Sequence, residues 1–150
     1  MKMLVCTDGS EHSQKAINQA LAIAEGCKVE EVAVIHVHEA IPGKIYPYTT
    51  GGVAPEQIER LQKYREEVKV KIDKMLSEAE KTFTEKNIKT RTISKEGPPA
   101  DTIVKVAGEE GFDMIVLGSR GLGGLRKILL GSVSNAVMQE AQDCSVLVVK

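Results

Sequence analysis

The stretch that decides the fold is residues 114–137, MIVLGSRGLGGLRKILLGSVSNAV. It opens on a short apolar run, continues through five glycines interspersed with basic residues, and ends in apolar residues at helical spacing. A continuous apolar run is typical of a strand that is buried on both faces of a parallel sheet. The stretch therefore predicts a buried strand, a glycine-rich turn and a helix.

The alternation of strand and helix extends over the rest of the chain. Strands are predicted at 3–7, 29–37, 88–94, 113–119 and 144–149, and helices at 10–26, 55–86, 98–111 (with 108 as the other possible end) and 134–141. Such alternation forms right-handed βαβ crossovers, so we predict one doubly wound, Rossmann-like α/β domain over residues 1–150, with a parallel sheet covered on both faces. Ligands bind such sheets beyond the carboxyl ends of the strands.

The 41–53 loop is longer than a connection needs and is a candidate lid or partner surface.

Composition excludes several classes of protein. The 150 residues carry 20 basic and 21 acidic side chains, for a net charge of −1, so no overall field attracts nucleic acid or an anionic membrane. No apolar stretch approaches the roughly 20 residues that span a bilayer, and the N-terminal residues lack the pattern of a signal peptide. The three cysteines have no metal-type spacing and indicate reduced thiols. We expect a cytoplasmic protein that binds neither nucleic acid nor a membrane.

The glycine-rich segment has the features of an anion site. Glycines after a buried strand let the backbone turn sharply and approach a ligand, and free N–H groups at a following helix N-terminus bind anions. Gly118 and Gly121 suit the turn. Ser132 or Ser134 is a candidate N-cap, or could donate a hydrogen bond from its hydroxyl to a phosphate oxygen. Local positive charge is available from Arg120, Arg126 and Lys127. The alternative is a flexible surface loop that needs glycine for no chemical reason.

Other residues each allow a structural and a functional interpretation. Asp8 is either a ligand-binding carboxylate or the start of an Asx turn into the first helix. Cys6 fits a small core residue better than a reactive thiol. His36 and His38 lie two apart on a strand, which permits a metal pair, although no third ligand is evident. Neither G-x-x-x-x-G-K-[ST] nor an intact G-x-G-x-x-G occurs, and no catalytic triad or acid/base pair can be assembled.

The spacing of the glycines resembles that of a known family, the universal stress proteins, and specifically their ATP-binding branch. The signature of that branch, G-x2-G-x9-G-[ST], is matched by Gly118, Gly121, Gly131 and Ser132. The Asp-Gly-Ser after the first strand, the His-Val of the second strand and the final SVLVV extend the resemblance over the whole chain. It implies a five-stranded parallel sheet of order 3-2-1-4-5, with a nucleotide across the ends of the first and fourth strands.

The resemblance also implies roles for individual residues. Cys6, Thr7 and Asp8 would line the adenine and ribose, and Val37 would present its backbone to the adenine edge. Ribose and phosphates would be surrounded by Gly118, Arg120, Gly121, Gly131, Ser132, Val133 and Ser134. One departure is Cys6, because the family often has Pro or an aliphatic residue there.

The implied function is a stress-response or signalling switch that binds ATP with Mg²⁺ and hydrolyses it slowly at most. The family commonly forms homodimers through the C-terminal strand, which would cover an apolar sheet edge, and a protein partner would read the nucleotide state. Two alternatives stay open: a genuine ATP hydrolase or nucleotidyl transferase on a related α/β scaffold, and an interaction module whose glycine-rich loop is empty or binds another adenine nucleotide.

Overall fold

A computed structural model of the protein describes residues 1–39, 55–122 and 130–150. The strands are β1 (Lys2–Cys6), β2 (Glu31–His38), β3 (Thr90–Glu96), β4 (Met114–Gly118) and β5 (Ser145–Val149). The helices are α1 (Glu11–Gly26), α2 (Pro55–Thr84), α3 (Pro99–Glu110) and α4 (Ser132–Glu140). The candidate lid at 41–53 lies outside the described residues.

The five strands form one parallel sheet of order β3-β2-β1-β4-β5, as predicted. Consecutive residues of β1 are fully buried because they face different helices. Val5 contributes to a core with α1 and α2 that includes Ile17 and Phe83. Leu4 contributes to a second core with α3 and α4 that includes Ile103 and Val137. Burial on both faces is the physical reason for the continuous apolar runs of the sequence.

Helix ends differ from the predicted ones at two places that bear on the site. α1 begins one residue after the predicted start because Ser10 is its N-cap, and the Ser10 side chain accepts a hydrogen bond from the Ser13 N–H. α4 begins at Ser132, two residues earlier than predicted, with Gly131 as its N-cap. In residues 1–39, 55–122 and 130–150, no helix combines the length and apolar character that crossing a bilayer requires.

A charged cluster ties the amino ends of the strands together, at the end of the sheet opposite to the carboxyl ends. Glu31 lies 2.7 Å from Nε of Arg91 and 2.8 Å from Nζ of Lys89. Arg91 also pairs with Glu110 at the end of α3, and its guanidinium lies over the ring of the buried Phe112. Hydrogen bonds from Lys89 and Arg91 hold the pKa of Glu31 at about 2, well below its ordinary value of 4.5.

We predict that Glu31→Gln destabilises the protein by about 1 kcal/mol at pH 7, the upper end for ion pairs at a protein surface. Because the folded-state pKa is the lower one, the stabilisation is complete above pH 4.5 and is lost as the pH falls from 4.5 towards 2. Urea unfolding of wild type and variant at pH 7 and at low pH measures this, and the difference between them should shrink at low pH. The exposed Glu109, paired with Lys105 on α3, supplies the control Glu109→Gln. A difference for Glu31→Gln that stays constant with pH would contradict the prediction.

Candidate functional site

A cavity of about 1000 Å³ opens at the carboxyl ends of β1 and β4. It lies where the chain leaves β1 for α1 on one side and β4 for α4 on the other, which is the point of strand-order reversal. The structure brings all eleven residues predicted for the site to this cavity: Cys6, Thr7, Asp8, Val37, Gly118, Arg120, Gly121, Gly131, Ser132, Val133 and Ser134. A single ligand in the cavity can therefore reach both strand ends.

Asp8 joins the two loops that border the cavity. Its Oδ1 accepts a hydrogen bond from the Ser10 N–H at 2.9 Å, which is the Asx turn that its position allowed. Its Oδ2 accepts from the Leu122 N–H at 3.2 Å, across the cavity mouth. The carboxylate thus connects the turn after β1 with the loop after β4 while it lines the cavity.

Two glycines of the site, Gly118 and Gly121, are required by close approach rather than by a left-handed backbone. A Cβ on Gly118 would lie 2.7–2.9 Å from backbone and Cβ atoms of His12 in α1. A Cβ on Gly121 would lie 2.5 Å from Oδ2 of Asp8. Positive φ angles occur instead at Gly9, Gly97 and Gly111 among the described glycines. Beyond the turn for which the sequence predicted them, Gly118 and Gly121 allow two parts of the chain to touch.

The start of α4 presents backbone N–H groups to the cavity. Its N-cap is Gly131, so neither Ser132 nor Ser134 caps the helix as the sequence had suggested. The buried Ser134 hydroxyl instead donates to the carbonyl oxygens of Ser119 and Gly131, at 3.1 and 3.0 Å. The Gly131 N–H donates to the same Ser119 oxygen at 2.7 Å, which brings the two ends of the glycine-rich segment together. Since the N-cap Gly131 has no side chain that could accept a hydrogen bond from the first turn of α4, the N–H groups of that turn are open to an anionic ligand.

Both acidic and basic side chains line the cavity. Arg120 is half-buried and lines the cavity, next to the Gly121 backbone. The other predicted cations, Arg126 and Lys127, lie outside the described residues. Glu39 lines the cavity beyond the end of β2. Among the described residues that line the cavity, Arg120 is the one basic side chain and lies beside the glycines, whereas Asp8 and Glu39 are acidic.

Cys6 is a buried wall of the cavity. The residue is 9% exposed, and burial raises the pKa of its thiol above the ordinary value, so the thiol stays protonated at neutral pH. Cys144 has a smaller exposed surface than Cys27, and burial together with the nearby Asp143 raises its thiol pKa. The interpretation of Cys6 as a small core residue agrees with this environment.

We predict that iodoacetamide modifies the three thiols in the order Cys27, Cys144, Cys6, because alkylation requires an accessible thiolate. Cys6 should remain unmodified in the folded protein at pH 8 under conditions that label Cys27 completely. Mass spectrometry of peptides after timed quenching measures this, and labelling in urea shows that every cysteine is intrinsically reactive. Labelling of Cys6 as fast as Cys27 in the folded protein would contradict the buried position.

His36 and His38 lie on one face of β2 with stacked rings, whose centroids are 6.1 Å apart. The Nδ1 atoms are within 2.8 Å of the Thr7 carbonyl oxygen and 3.1 Å of the Glu39 carbonyl oxygen, respectively. Within the described ranges, no third His, Cys, Asp or Glu completes a cluster that could hold a metal ion. The two rings are accounted for by hydrogen bonds to the backbone.

The cavity is also lined by residues that the sequence did not predict. Apolar contacts come from Ile35, Pro99, Ile103, Leu117, Leu122 and Leu130, and polar ones from Ser13, Glu39 and Asn135. The alternation of β2 could have identified Ile35, which lies two residues before Val37 on the same face. Nothing local points to Ile103, because it reaches the cavity only through the packing of α3 on the sheet.

Comparison with known proteins shows the family of this chain. The model of the universal stress protein family matches residues 1–150. The chain belongs to the universal stress protein family. It is similar to the universal stress protein YxiE of Bacillus subtilis, with 37% identity over 149 residues that cover 99% of this chain and 98% of YxiE.

Solved structures show the same architecture. This universal stress protein superimposes on the structure of the protein MJ0577 with a TM-score of 0.81 and 30% identity, covering 99% of this chain and 94% of the other. MJ0577 is a universal stress protein of Methanocaldococcus jannaschii. A universal stress protein from Archaeoglobus fulgidus in complex with dAMP has a TM-score of 0.66 at 22% identity, with 100% and 98% of the two chains covered. At that identity the likeness concerns the fold.

Proposed function

We propose that this universal stress protein belongs to the ATP-binding branch of its family and holds ATP with Mg²⁺ in the cavity between the ends of β1 and β4. In this proposal it acts in the cytoplasm as a nucleotide-dependent switch in a stress response, with slow hydrolysis at most. The observation that carries the proposal is that the four signature positions, Gly118, Gly121, Gly131 and Ser132, lie on one cavity together with the Asp8 carboxylate and the backbone of Val37.

The walls near β2 and α3 suit a purine base. Ile35, Ile103 and Leu117 offer apolar surface to the faces of a flat ring, and Cys6 is small and uncharged. Fixed polar groups among apolar walls are the usual composition of a small-molecule site. Val37 supplies backbone polar groups at the end of β2, so this side of the cavity is assigned to adenine.

The opposite side of the cavity suits phosphates. The open first turn of α4 carries the partial positive charge of a helix N-terminus, and Arg120 adds a full charge. Because a nucleotide-bound Mg²⁺ takes most of its ligands from phosphate oxygens and water, it needs no dedicated protein cluster. The arrangement of walls therefore orients a nucleotide with its base at β2 and its phosphates at α4.

Two proteins of this fold have been solved with adenine nucleotides, one with dAMP and one with cAMP. Their identities to this chain are 22% and 24%, so the argument for this chain depends on its own cavity. Those complexes nevertheless name the nucleotides that belong in a binding panel beside ATP and ADP.

Slow turnover is expected from the position of Asp8. Both of its carboxylate oxygens already accept hydrogen bonds from backbone N–H groups, at Ser10 and at Leu122. A carboxylate used in this way is poorly available to orient an attacking water, which phosphoryl transfer to water requires. The ligand would instead change the contact between the two loops, and a protein partner would recognise that change.

A homodimer through β5 is part of the proposal. β5 is an edge strand, and its valines Val146 and Val148 are only partly buried within one chain. Pairing with β5 of a second copy would cover that edge, which is otherwise a site for aggregation.

The experiment that tests the function is to denature freshly purified protein and to identify any released nucleotide by chromatography. ATP at near one per chain supports the proposal, and protein recovered empty is then titrated with ATP, ADP, AMP, dAMP and cAMP while its melting temperature is followed. A ligand that binds only the native state must raise that temperature. Failure of every nucleotide to do so, together with empty purified protein, would refute it.

A further inference from the structure

The end of β2 extends past the end of β1. The last register pair between these strands is Cys6 with Ile35, whereas β2 continues beside β3 to the pair of His38 with Glu96. Residues 36–38 therefore have a strand on one side only. On their other side is the cavity, which Val37 lines.

The hydrogen-bond pattern determines where the Val37 backbone points. In a parallel pair, a residue turns its N–H and C=O towards the same neighbouring strand, and successive residues alternate sides. Even-numbered residues of β2 bond to the β3 side, since the Val32 N–H donates to the Lys89 oxygen and the His38 oxygen accepts from the Gly97 N–H. The N–H and C=O of Val37 therefore point away from β3, towards the end of β1 and the cavity.

The last hydrogen bond between the two strands runs from the Thr7 N–H to the Ile35 carbonyl oxygen, at 2.9 Å. If the ladder continued, the next bond would run from the Val37 N–H to the Thr7 carbonyl oxygen. That Thr7 oxygen lies instead 2.8 Å from Nδ1 of His36. Between the described residues, no backbone hydrogen bond joins Val37 to Thr7. Gly9, the next possible donor on this side, gives its N–H to the Thr7 hydroxyl at 3.3 Å.

The hydrogen bond defines the state of the His36 ring. A carbonyl oxygen only accepts, so Nδ1 of His36 must carry the proton and donate it. The His36 side chain thus bonds to the Thr7 carbonyl oxygen in place of the Val37 N–H, and the β1–β2 ladder ends one hydrogen bond early. A donor and an acceptor on one residue, Val37, are left facing the cavity.

We propose that His36 is a positioning residue for base recognition: by bonding to the Thr7 carbonyl it keeps the N–H and C=O of Val37 available to the edge of the purine. The inference rests on the proposed nucleotide function and adds the group that controls specificity. Adenine has an acceptor, N1, beside a donor, the 6-amino group, which complements a backbone N–H and C=O. Hypoxanthine has a donor at N1 and an acceptor at position 6. In the same position it would place a donor against the Val37 N–H and an acceptor against the Val37 C=O. A site with buried polar groups discriminates strongly against such a mismatch.

The test compares ATP with ITP, which differ only at this edge, by calorimetry on the full chain. His36→Phe keeps a ring in the stack with His38 and removes the donor. It should lower ATP affinity about tenfold, the size of one hydrogen bond, and leave the weaker ITP affinity nearly unchanged. His36→Asn carries an N–H donor close to the position of Nδ1 and should restore the preference for ATP. The matched control is His38→Phe, because the His38 ring hydrogen-bonds to the Glu39 carbonyl and not to the Thr7 carbonyl. This variant should bind ATP like wild type.

The outcomes separate the inference from the function. Equal losses for ATP and ITP in His36→Phe indicate a merely structural role and overturn the inference while the nucleotide site stands. Wild-type protein that binds neither nucleotide overturns the proposed function and the inference with it.

A measurement without any substitution tests the same arrangement if His36→Phe does not fold. In the free wild-type protein, the amide of Val37 should exchange with solvent much faster than that of Ile35, and saturating ATP should slow it. Equal protection of the two amides in the free protein would show that Val37 is already paired and would overturn the inference.

Discussion

Replacing Gly118 with alanine should lower the free energy of unfolding by about 2–3 kcal/mol, the cost of forcing an extra carbon into a closely packed site. The new Cβ would lie 2.7 Å from the carbonyl carbon of His12 and 2.8 Å from its oxygen. These are backbone atoms of α1 and cannot rotate away as the end of a side chain can. Relief requires α1 to shift from the end of β4, which also displaces the cavity wall. Urea unfolding followed by circular dichroism measures the loss.

The matched control for this substitution is Gly108→Ala in α3. A Cβ at Gly108 would meet nothing within 4 Å, and alanine in a helix is favoured over glycine by about 0.5–1 kcal/mol. Its stability should therefore be unchanged or slightly raised. Equal stability of Gly118→Ala and wild type would mean that β4 and α1 are farther apart than the structure shows.

Replacing Gly121 with alanine should act on nucleotide binding more than on stability. The Cβ would lie 2.5 Å from Oδ2 of Asp8, the oxygen that accepts the Leu122 N–H. The carboxylate is the end of a side chain and can rotate away, so the fold survives. The bond to Leu122 is then lost, and the carboxylate leaves its place in the cavity. We expect ATP affinity to fall by about tenfold or more, since hydrogen bonds to charged groups are the stronger ones.

A double-mutant cycle shows whether this effect passes through Asp8. Asp8→Ala removes the atom that Gly121→Ala would push, so adding Gly121→Ala to it should cost no further affinity. Gly26→Ala, at a position with nothing within 4 Å, is the control glycine and should bind ATP like wild type. Additive losses from Asp8→Ala and Gly121→Ala would show that residue 121 contacts the nucleotide by itself.

Much of the fold was predictable because its signals are local. The apolar runs of β1 and β4 are continuous since both faces of the sheet are covered, and the glycine-rich segment after β4 indicates a loop that approaches a ligand. From these runs and the intervening helical periods, the parallel sheet follows, and its strand order was implied by the family resemblance and confirmed. The positions around the end of β1, together with Val37 and the glycine signature, were predicted to meet and do lie on one cavity.

The helix ends around the site were less predictable. Ser132 and Ser134 both fit an N-cap by residue type, yet Gly131 holds that position and Ser134 is buried against the Ser119 carbonyl. Capping preferences are worth about 1 kcal/mol, so the packing of α4 against the loop can override them. A local preference of this size decides only when tertiary contacts do not compete with it.

The sequence by itself determined the order of elements, the buried faces and the loops that border the cavity, because hydrophobic period and glycine spacing are properties of neighbouring residues. Only the tertiary structure decided that Gly121 is needed for Asp8, that Ile103 forms a wall of the cavity and that His36 takes the carbonyl of Thr7. Asp8 and its partner Leu122 are 114 positions apart. Contacts of this kind depend on how helices and strands pack, at distances of a few ångströms that no local pattern encodes.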